Sequence, residues 1–412
     1  MADFHQNGSI STLHNLSGRS VESLEADLMG FRKANPMALV LPSLFSELEG
    51  PALENIVDEL CEVPYLDDII IGLDRADKEQ FEYAKQYFSR LPQRHHILWN
   101  SGPRLTALDA ELKERGLSPA EPGKGRNVWF CFGYFLSATN AQVVGLHDCD
   151  ILTYNRELLA RLMYPVANPT FPYVFSKGYY ARTTEEKFNG RVVRLLIGPL
   201  LAALKKVCDP NDYITYLNSF RYALAGEFAM GRQVVKNIRI PSDWGLEVGV
   251  LSEVWRNQST QSICQVEIAD NYDHKHQSVS HDNPEGGLSK MSIDITKSLF
   301  RKLATDGQVF SAGTFRTLKA TYFRIALDRI ETFYNDAVMN GLTLDRHEEE
   351  TTVELFAQNI MTAGEVFLES PNETPFMANW NRINSAIPDF TDRFKEAVRL
   401  DNEDELWEDS AG

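Results

Sequence analysis

Short apolar segments alternate with longer segments of helical spacing along the first part of the chain. The apolar segments predict buried strands at residues 37–42, 67–74, 94–99 and 141–150. Segments of helical spacing separate them at residues 51–60, 78–89, 105–116 and 128–139. Strands and helices that alternate in this way predict an α/β fold, in which a mostly parallel sheet carries helices on both faces.

The pattern becomes mixed after residue 157 and helical after residue 287. It predicts strands at 171–180 and 262–268, and helices at 191–207, 288–303, 314–341 and 348–357. The first 35 residues are expected to be a flexible start that leads into an amphipathic helix at 21–33, and 401–412 to be an acidic, frayed end. We therefore expect an N-terminal extension at 1–35, a catalytic domain at 36–285 and a helical region at 286–412.

Composition and charge limit the partners and the cellular location that the protein can have. The chain has 412 residues, a formal charge of −17 and a pI near 5.0, which argues against a nucleic-acid partner. A phosphate-bearing substrate is still compatible with this charge, because a bound cation and a few basic side chains can reverse the field in one cleft. No apolar run of membrane-spanning length is present, and the start lacks the apolar centre of a secretory signal. The five cysteines are scattered, which favours reduced thiols and a cytoplasmic location.

The strand predicted at 141–150 ends in two aspartates, Asp148 and Asp150. Ligands of open α/β sheets bind beyond the carboxyl ends of the strands, so both carboxylates are expected to face a crevice. One carboxylate can hold a divalent cation directly while the other acts through water, and substrate phosphates complete the shell. His274 or His276, two residues apart after the late strand, can add an imidazole ligand that suits Mn²⁺. A solvated loop end is the alternative for either segment.

Two segments are candidates for binding a nucleoside. The loop after the first strand contains Pro42, which stiffens it, and Ser43 and Glu47, which can hydrogen-bond a base or ribose. The alternative for this loop is a helix start with Ser46 as its cap. Asp74, at the end of the second strand, can accept hydrogen bonds from a nucleoside or can cap the helix that follows.

Three further segments bring charge to the same domain. Gly123-Lys-Gly125 predicts a tight turn in which the glycines allow a phosphate to approach and Lys124 supplies a positive charge, although an ordinary turn has the same composition. Lys177 and Arg191 suit an anionic acceptor, and a solvated helix start is the alternative. Glu247 lies between glycines in an apolar segment, where sugar hydroxyls can satisfy a buried acid or where the acid simply opens a helix.

The order of these segments resembles the glucosyl-3-phosphoglycerate synthase family of retaining glycosyltransferases, which have a GT-A fold. The motifs, in order, are Leu-Pro-x-Leu, Gly-Lys-Gly, Asp-x-Asp, Lys-Gly-Tyr-Tyr, Gly-Arg-Val, Pro-Leu-Leu-Ala-Ala-Leu, Gly-Glu-Phe-Ala, Gly-x-Glu-Val-Gly and a final histidine, over residues 37–285. The resemblance implies transfer of glucose from UDP-glucose or another NDP-glucose to 3-phosphoglycerate, with Mg²⁺ or Mn²⁺. The product of that reaction would be used in the synthesis of compatible solutes or methylglucose polysaccharides.

The resemblance also implies roles for individual residues. The residues implied for the nucleoside are Pro42, Ser43, Leu44 and Asp74, and Lys124 is implied to contact the donor. Those implied for the metal and diphosphate are Asp148, Asp150 and His274. Gly190 and Arg191 would hold the phosphoglycerate and Glu247 the sugar. We expect the metal to neutralise the departing diphosphate, and we assign Asp150 and Glu247 to catalysis, the latter as an orienting group.

Two departures leave the substrates open. Val193 stands where the family has a threonine, and the Arg-Ala-His-Arg-Asn segment of the family appears here as Tyr-Asp-His-Lys-His at 272–276. Glycerate or another phosphorylated acid as the acceptor, and mannose as the sugar, are therefore alternatives. A nucleotidyltransferase is a second class, although the first loop lacks its glycines, and a nucleotide-sugar sensor without turnover is a third.

The helical region after residue 287 contains an apolar stripe. Its members are Phe300, Leu303, Phe323, Ile325 and Phe333. The stripe predicts a homodimer, and packing of this region onto its own catalytic domain explains it equally well.

Overall fold

An eight-stranded sheet forms the centre of the protein in the computed structural model, which describes residues 6, 8–16, 18–118, 123–183, 187–273, 287–371 and 376–403. The strands in these ranges are β1 Ser11–Leu13, β2 Met37–Leu44, β3 Leu66–Asp74, β4 Arg94–Trp99, β5 Val143–Leu146, β6 Phe175–Tyr180, β7 Phe228–Gly231 and β8 Ile263–Ala269. Their order is β1-β8-β6-β7-β5-β2-β3-β4. Only β7 is antiparallel to its neighbours β5 and β6, so the predicted mostly parallel sheet is confirmed.

In the described ranges, helices cover both faces of the sheet and make up the part of the chain that follows β8. The first ten are α1 Val21–Phe31, α2 Pro51–Cys61, α3 Lys78–Phe88, α4 Pro103–Glu114, α5 Lys124–Ala138, α6 Arg156–Ala167, α7 Gly198–Val207, α8 Asp212–Leu217, α9 Arg232–Asn237 and α10 Leu246–Asn257. The last five are α11 Gly287–Thr305, α12 Ala312–Met339, α13 Arg346–Glu369, α14 Trp380–Ala386 and α15 Phe390–Asn402. Within the described ranges, no helix is long and apolar enough to cross a membrane.

Alternating side chains of the central strands feed two apolar cores, one on each face. In β2, Ala38 and Val40 belong to one core, whereas Leu39 and Leu41 belong to the other. All four are fully buried, because a parallel strand covered on both faces can expose neither side. This burial explains why the strands predicted at 37–42 and 67–74 were recognisable as apolar runs.

Some local predictions are wrong. Residues 11–13, predicted as part of a flexible start, pair in parallel with β8 at the edge of the sheet. The residues around Lys124 do not form a free turn but begin helix α5. Ser46 lies inside a short 3₁₀ turn, Phe45–Glu47, that has no side-chain cap, and helix α3 is capped by Asp77 instead of Asp74.

The C-terminal helices pack back onto the rest of the chain. Helix α12 lies on α7, and α15 lies against β4, α4 and α5. Trp380 of α14 stacks on Trp129 of α5 with ring centroids 4.5 Å apart, and Asp401, predicted to be in a frayed end, is buried in an ion pair with Arg104. This packing accounts for the buried part of the predicted stripe, including Phe300 and Leu303.

Candidate active site

The two aspartates follow β5 at the point where three strands bring their ends together. The register pairs Leu146 of β5 with Phe228 of β7, so Asp148 lies opposite the residues that precede β7. A Cβ atom placed on Gly226 would be 2.6 Å from Oδ2 of Asp148. No real Cβ contact is that short, so Asp148 can hold its position only because residue 226 has no side chain.

Lys124 connects this edge to helix α10. Its ammonium group lies 2.6 Å from Oδ1 of Asp148 and 3.2 Å from Oε1 of Glu247 in the first turn of α10. The three side chains retain 30%, 27% and 15% of their exposure, so solvent reaches each of them. Burial acts to lower the pKa of Lys124, but the two carboxylates outweigh it and the pKa is raised, which keeps the ammonium charged.

The glycines beside Lys124 have a different role from the one predicted. A Cβ on Gly123 would lie 2.7 Å from the carbonyl oxygen of Ser242, and one on Gly125 would collide with the carbonyl oxygen of Pro241. The backbone that approaches these glycines is therefore the loop leading into α10. Their small size lets that loop bring Glu247 to Lys124.

Asp150 lies in a crowded negative environment. Burial and the charge of Asp148 raise the pKa of Asp150 to about 7, with smaller contributions in the same direction from Glu47 and Glu227, whereas Lys124 lowers it. Carboxylates held this close together repel one another unless a cation or a proton lies between them. Within the described ranges no group of three His, Cys, Asp or Glu side chains is placed to hold a metal, and the predicted ligand His274 and its alternative His276 lie outside those ranges.

A buried glutamate, Glu227, lies next to the site, and no sequence pattern predicted a role for it. Glu227 is fully buried and accepts hydrogen bonds from the hydroxyls of Tyr180 and Tyr272 at 2.7 and 2.5 Å. The two tyrosine rings stack with centroids 3.8 Å apart. Burial and Asp148 raise the pKa of Glu227. The sequence signal that could have identified Glu227 is its position between a glycine and an apolar strand, because an acid buried there needs hydrogen-bond partners.

The predicted nucleoside residues lie together at the same edge. β2 pairs with β3 in a register that places Leu44 beside Asp74, and Pro42 and Ser43 precede Leu44 in β2. The Ser43 hydroxyl donates to the carbonyl oxygen of Leu44 at 2.9 Å. Asp74 accepts a 2.8 Å hydrogen bond from Asn100, and burial raises the pKa of Asp74.

The predicted acceptor residues have protein partners. Arg191 lies 2.8 Å from a carboxylate oxygen of Glu348 and 3.4 Å from one of Glu349, both on α13. Gly190 precedes it with a φ of +80°. Lys177 is fully buried in β6 and donates to the carbonyl oxygen of Ala225 at 2.5 Å, and burial lowers the pKa of Lys177 to about 8.

Comparisons with known proteins identify relatives of this chain. No family model matches the chain. The glucosyl-3-phosphoglycerate synthase of Persephonella marina is 47% identical over 405 residues, which cover 98% of this chain and 100% of that protein. The enzyme of the same name from Methanococcoides burtonii is 37% identical over 404 residues, which cover 97% of this chain and 98% of that protein.

Solved structures show the same fold. A crystal structure of glucosyl-3-phosphoglycerate synthase from Mycobacterium tuberculosis, in complex with Mn²⁺, UDP-glucose and phosphoglyceric acid, is 20% identical and has a TM-score of 0.53. The match covers 72% of this chain and 88% of that one, and it confirms the predicted GT-A fold. The two relatives that match over nearly their full lengths show that the chain is a glycosyltransferase and belongs to the glucosyl-3-phosphoglycerate synthase family.

Proposed function

We propose that this protein transfers glucose from UDP-glucose to 3-phosphoglycerate with retention of configuration, and that Mg²⁺ or Mn²⁺ is required. The observation that carries the proposal is the Asp148–Lys124–Glu247 contact beside Asp150 at the carboxyl end of β5. The names of the relatives and the ligands of the M. tuberculosis structure support the choice of glucose, UDP and phosphoglycerate. The nucleotidyltransferase alternative does not agree with the family.

The residues present fit a divalent cation. Asp148 and Asp150 offer the hard oxygen ligands that Mg²⁺ and Mn²⁺ prefer. The raised pKa of Asp150 reflects burial first and then the negative charge of Asp148, which a cation would offset. His274 is the proposed third ligand. When bound, the cation would supply Lewis-acid neutralisation of the departing diphosphate.

The chain's own residues would then hold the donor. Lys124 places a fixed positive charge where the diphosphate is expected, and it contacts Glu247, which we assign to the hydroxyls of the sugar. Retention would follow if the acceptor hydroxyl attacks from the face that the diphosphate leaves, with the leaving phosphate taking the proton. Pro42, Ser43, Leu44, Glu47 and Asp74 are the proposed nucleoside residues.

The acceptor would bind near Gly190 and Arg191. The guanidinium of Arg191 has five donors in a fixed fork, so it can keep a contact with α13 while it binds an anion. Lys177 donates a hydrogen bond to the carbonyl oxygen of Ala225 inside the sheet. Its role in binding the acceptor substrate stays a prediction.

A substrate panel tests the proposal. UDP-, ADP- and GDP-glucose and GDP-mannose are each offered with 3-phosphoglycerate or glycerate, and with Mg²⁺, Mn²⁺ or a chelator. We expect transfer from UDP-glucose to 3-phosphoglycerate that the chelator removes. Full turnover in the chelator, or a preference for mannose or glycerate, would overturn the corresponding part of the proposal. The homodimer, the cytoplasmic location and the domain boundaries stay predictions.

Gly226→Ala is expected to lower kcat/KM about 100-fold, since a displacement of catalytic groups by about 1 Å costs this much. The added Cβ would lie 2.6 Å from Asp148 and force it to move. The measurement is glucosyl transfer together with the melting temperature.

Gly231→Ala at the other end of β7 is the matched control. Its Cβ would be 3.9 Å from the carbonyl oxygen of Val174, an ordinary contact, and its φ of −72° suits alanine. We expect near-normal transfer from this variant. Equal activity in the two alanine variants would mean that Asp148 does not need its present position.

A further inference from the structure

A second arginine lies beside the proposed acceptor turn. Arg182 follows β6, and its carbonyl oxygen accepts a 2.8 Å hydrogen bond from the backbone N–H of Asn189. A Cβ on Gly190 would lie 3.4 Å from the Cβ of Arg182. Arg182 and Arg191 therefore flank the same turn, although nine positions separate them in the sequence.

The guanidinium of Arg182 is held by aromatic groups. Its Nη1 donates to the Tyr222 hydroxyl at 3.2 Å, and its Cζ lies 5.9 Å from the ring centroid of Tyr272. Tyr272 is the residue whose hydroxyl bonds Glu227, beside Asp148. This chain of contacts places Arg182 between the proposed metal site and the turn that carries Arg191.

Arg182 differs from the neighbouring arginines in its counter-ions. Arg191 and Arg194 both contact carboxylates of α13. Among the residues that the structure describes, no carboxylate lies within ion-pair distance of Arg182, and its Nε is buried without a hydrogen-bond partner. A partly buried cation with an unsatisfied donor is unfavourable until an anion arrives.

We propose that Arg182 binds one anionic group of the acceptor while Arg191 binds the other. This inference rests on the proposed function, because 3-phosphoglycerate carries a phosphate at one end and a carboxylate at the other. Val193, two residues after Arg191, has no side-chain donor to share in this recognition. We assign the phosphate to Arg182, and because glycerate lacks this group, Arg182 selects the phosphorylated acceptor.

The test is the kinetics of Arg182→Met with both substrates varied. Methionine keeps an unbranched apolar stem beside Tyr272 but removes the charge. Loss of a charged hydrogen bond predicts a KM for 3-phosphoglycerate that is about 10- to 100-fold higher. The KM for UDP-glucose and the activity with glycerate should change by less than about twofold, because neither substrate carries the acceptor phosphate and separate sites couple only weakly. Arg182→Lys should recover part of the loss, because it restores the charge without the planar fork.

Arg221→Met is the matched control. Arg221 also lies over a tyrosine, 5.0 Å from the centroid of Tyr179, but it is exposed and contacts His14. We expect this variant to keep the wild-type KM for 3-phosphoglycerate. If Arg182→Met folds poorly, calorimetric binding of 3-phosphoglycerate to Arg182→Lys gives the answer instead.

The outcomes separate this inference from the proposed function. A wild-type enzyme that does not use 3-phosphoglycerate overturns both. If the wild type uses it and Arg182→Met has an unchanged KM, only the assignment of Arg182 is wrong. Equal losses with 3-phosphoglycerate, glycerate and UDP-glucose would indicate a purely structural role and would also overturn the assignment.

Discussion

Asp150→Ala is expected to abolish glucosyl transfer without unfolding the protein. The substitution removes a carboxylate from the proposed cation site, and Lewis-acid stabilisation of several kcal/mol corresponds to a loss of about 10³-fold or more. The raised pKa of Asp150 shows that its charge is unfavourable where it lies. Removing that charge should leave the melting temperature of the metal-free protein unchanged or higher. The measurements are transfer activity and melting temperature, each with and without Mn²⁺.

Binding of Mn²⁺ provides the second criterion. A cation that binds only the folded wild type raises its melting temperature, and Asp150→Ala should lose this increase. Asp270→Ala is the control, because Asp270 is an exposed acid just after β8. It should retain both transfer and the response to Mn²⁺. An Asp150→Ala enzyme with normal turnover would show that the proposed metal site is wrong.

The edge of the sheet that carries Asp148 and Asp150 was predictable because its elements are local. β5 is a short apolar strand that runs directly into Asp148 and Asp150, so strand, strand end and acids all lie in one segment. β7 was missed because it is only four residues long and gains its hydrogen bonds from β5 and β6, which are distant in the sequence. Glu227 was missed with it, since its partners Tyr180 and Tyr272 meet only when the sheet assembles.

Contacts between distant segments account for the other differences. The glycines beside Lys124 suggested a phosphate turn, but their neighbours are Pro241 and Ser242, more than one hundred positions away. Similarly, the ion pairs of Arg191 with α13 join residues that no local pattern connects. Spacing indicates which residues carry charge, whereas tertiary packing decides which charges meet.

Lys124→Met should lower kcat/KM by about 10²- to 10³-fold, the cost of removing one preorganised group that stabilises developing charge. Lys124 contacts both Asp148 and Glu247, so its loss also takes this partner away from the two carboxylates. We expect the variant to be less stable by about 1–3 kcal/mol. Because a positive charge has been removed beside the proposed metal site, its affinity for Mn²⁺ should be unchanged or higher. Activity, unfolding free energy and Mn²⁺ titration measure these effects.

The opposite directions of activity and metal affinity distinguish Lys124 from Asp150. Lys124→Arg keeps the charge but changes its shape, so it should recover only part of the activity. Lys113→Met is the matched control, since Lys113 is an exposed lysine that pairs with Asp109 at 2.8 Å, and Asp109 keeps Arg126 as a second cation, so the loss of Lys113 should matter little. If Lys124→Met loses Mn²⁺ binding together with activity, the lysine acts by maintaining the metal site. If it keeps normal activity, the positive charge of Lys124 is not needed for transfer.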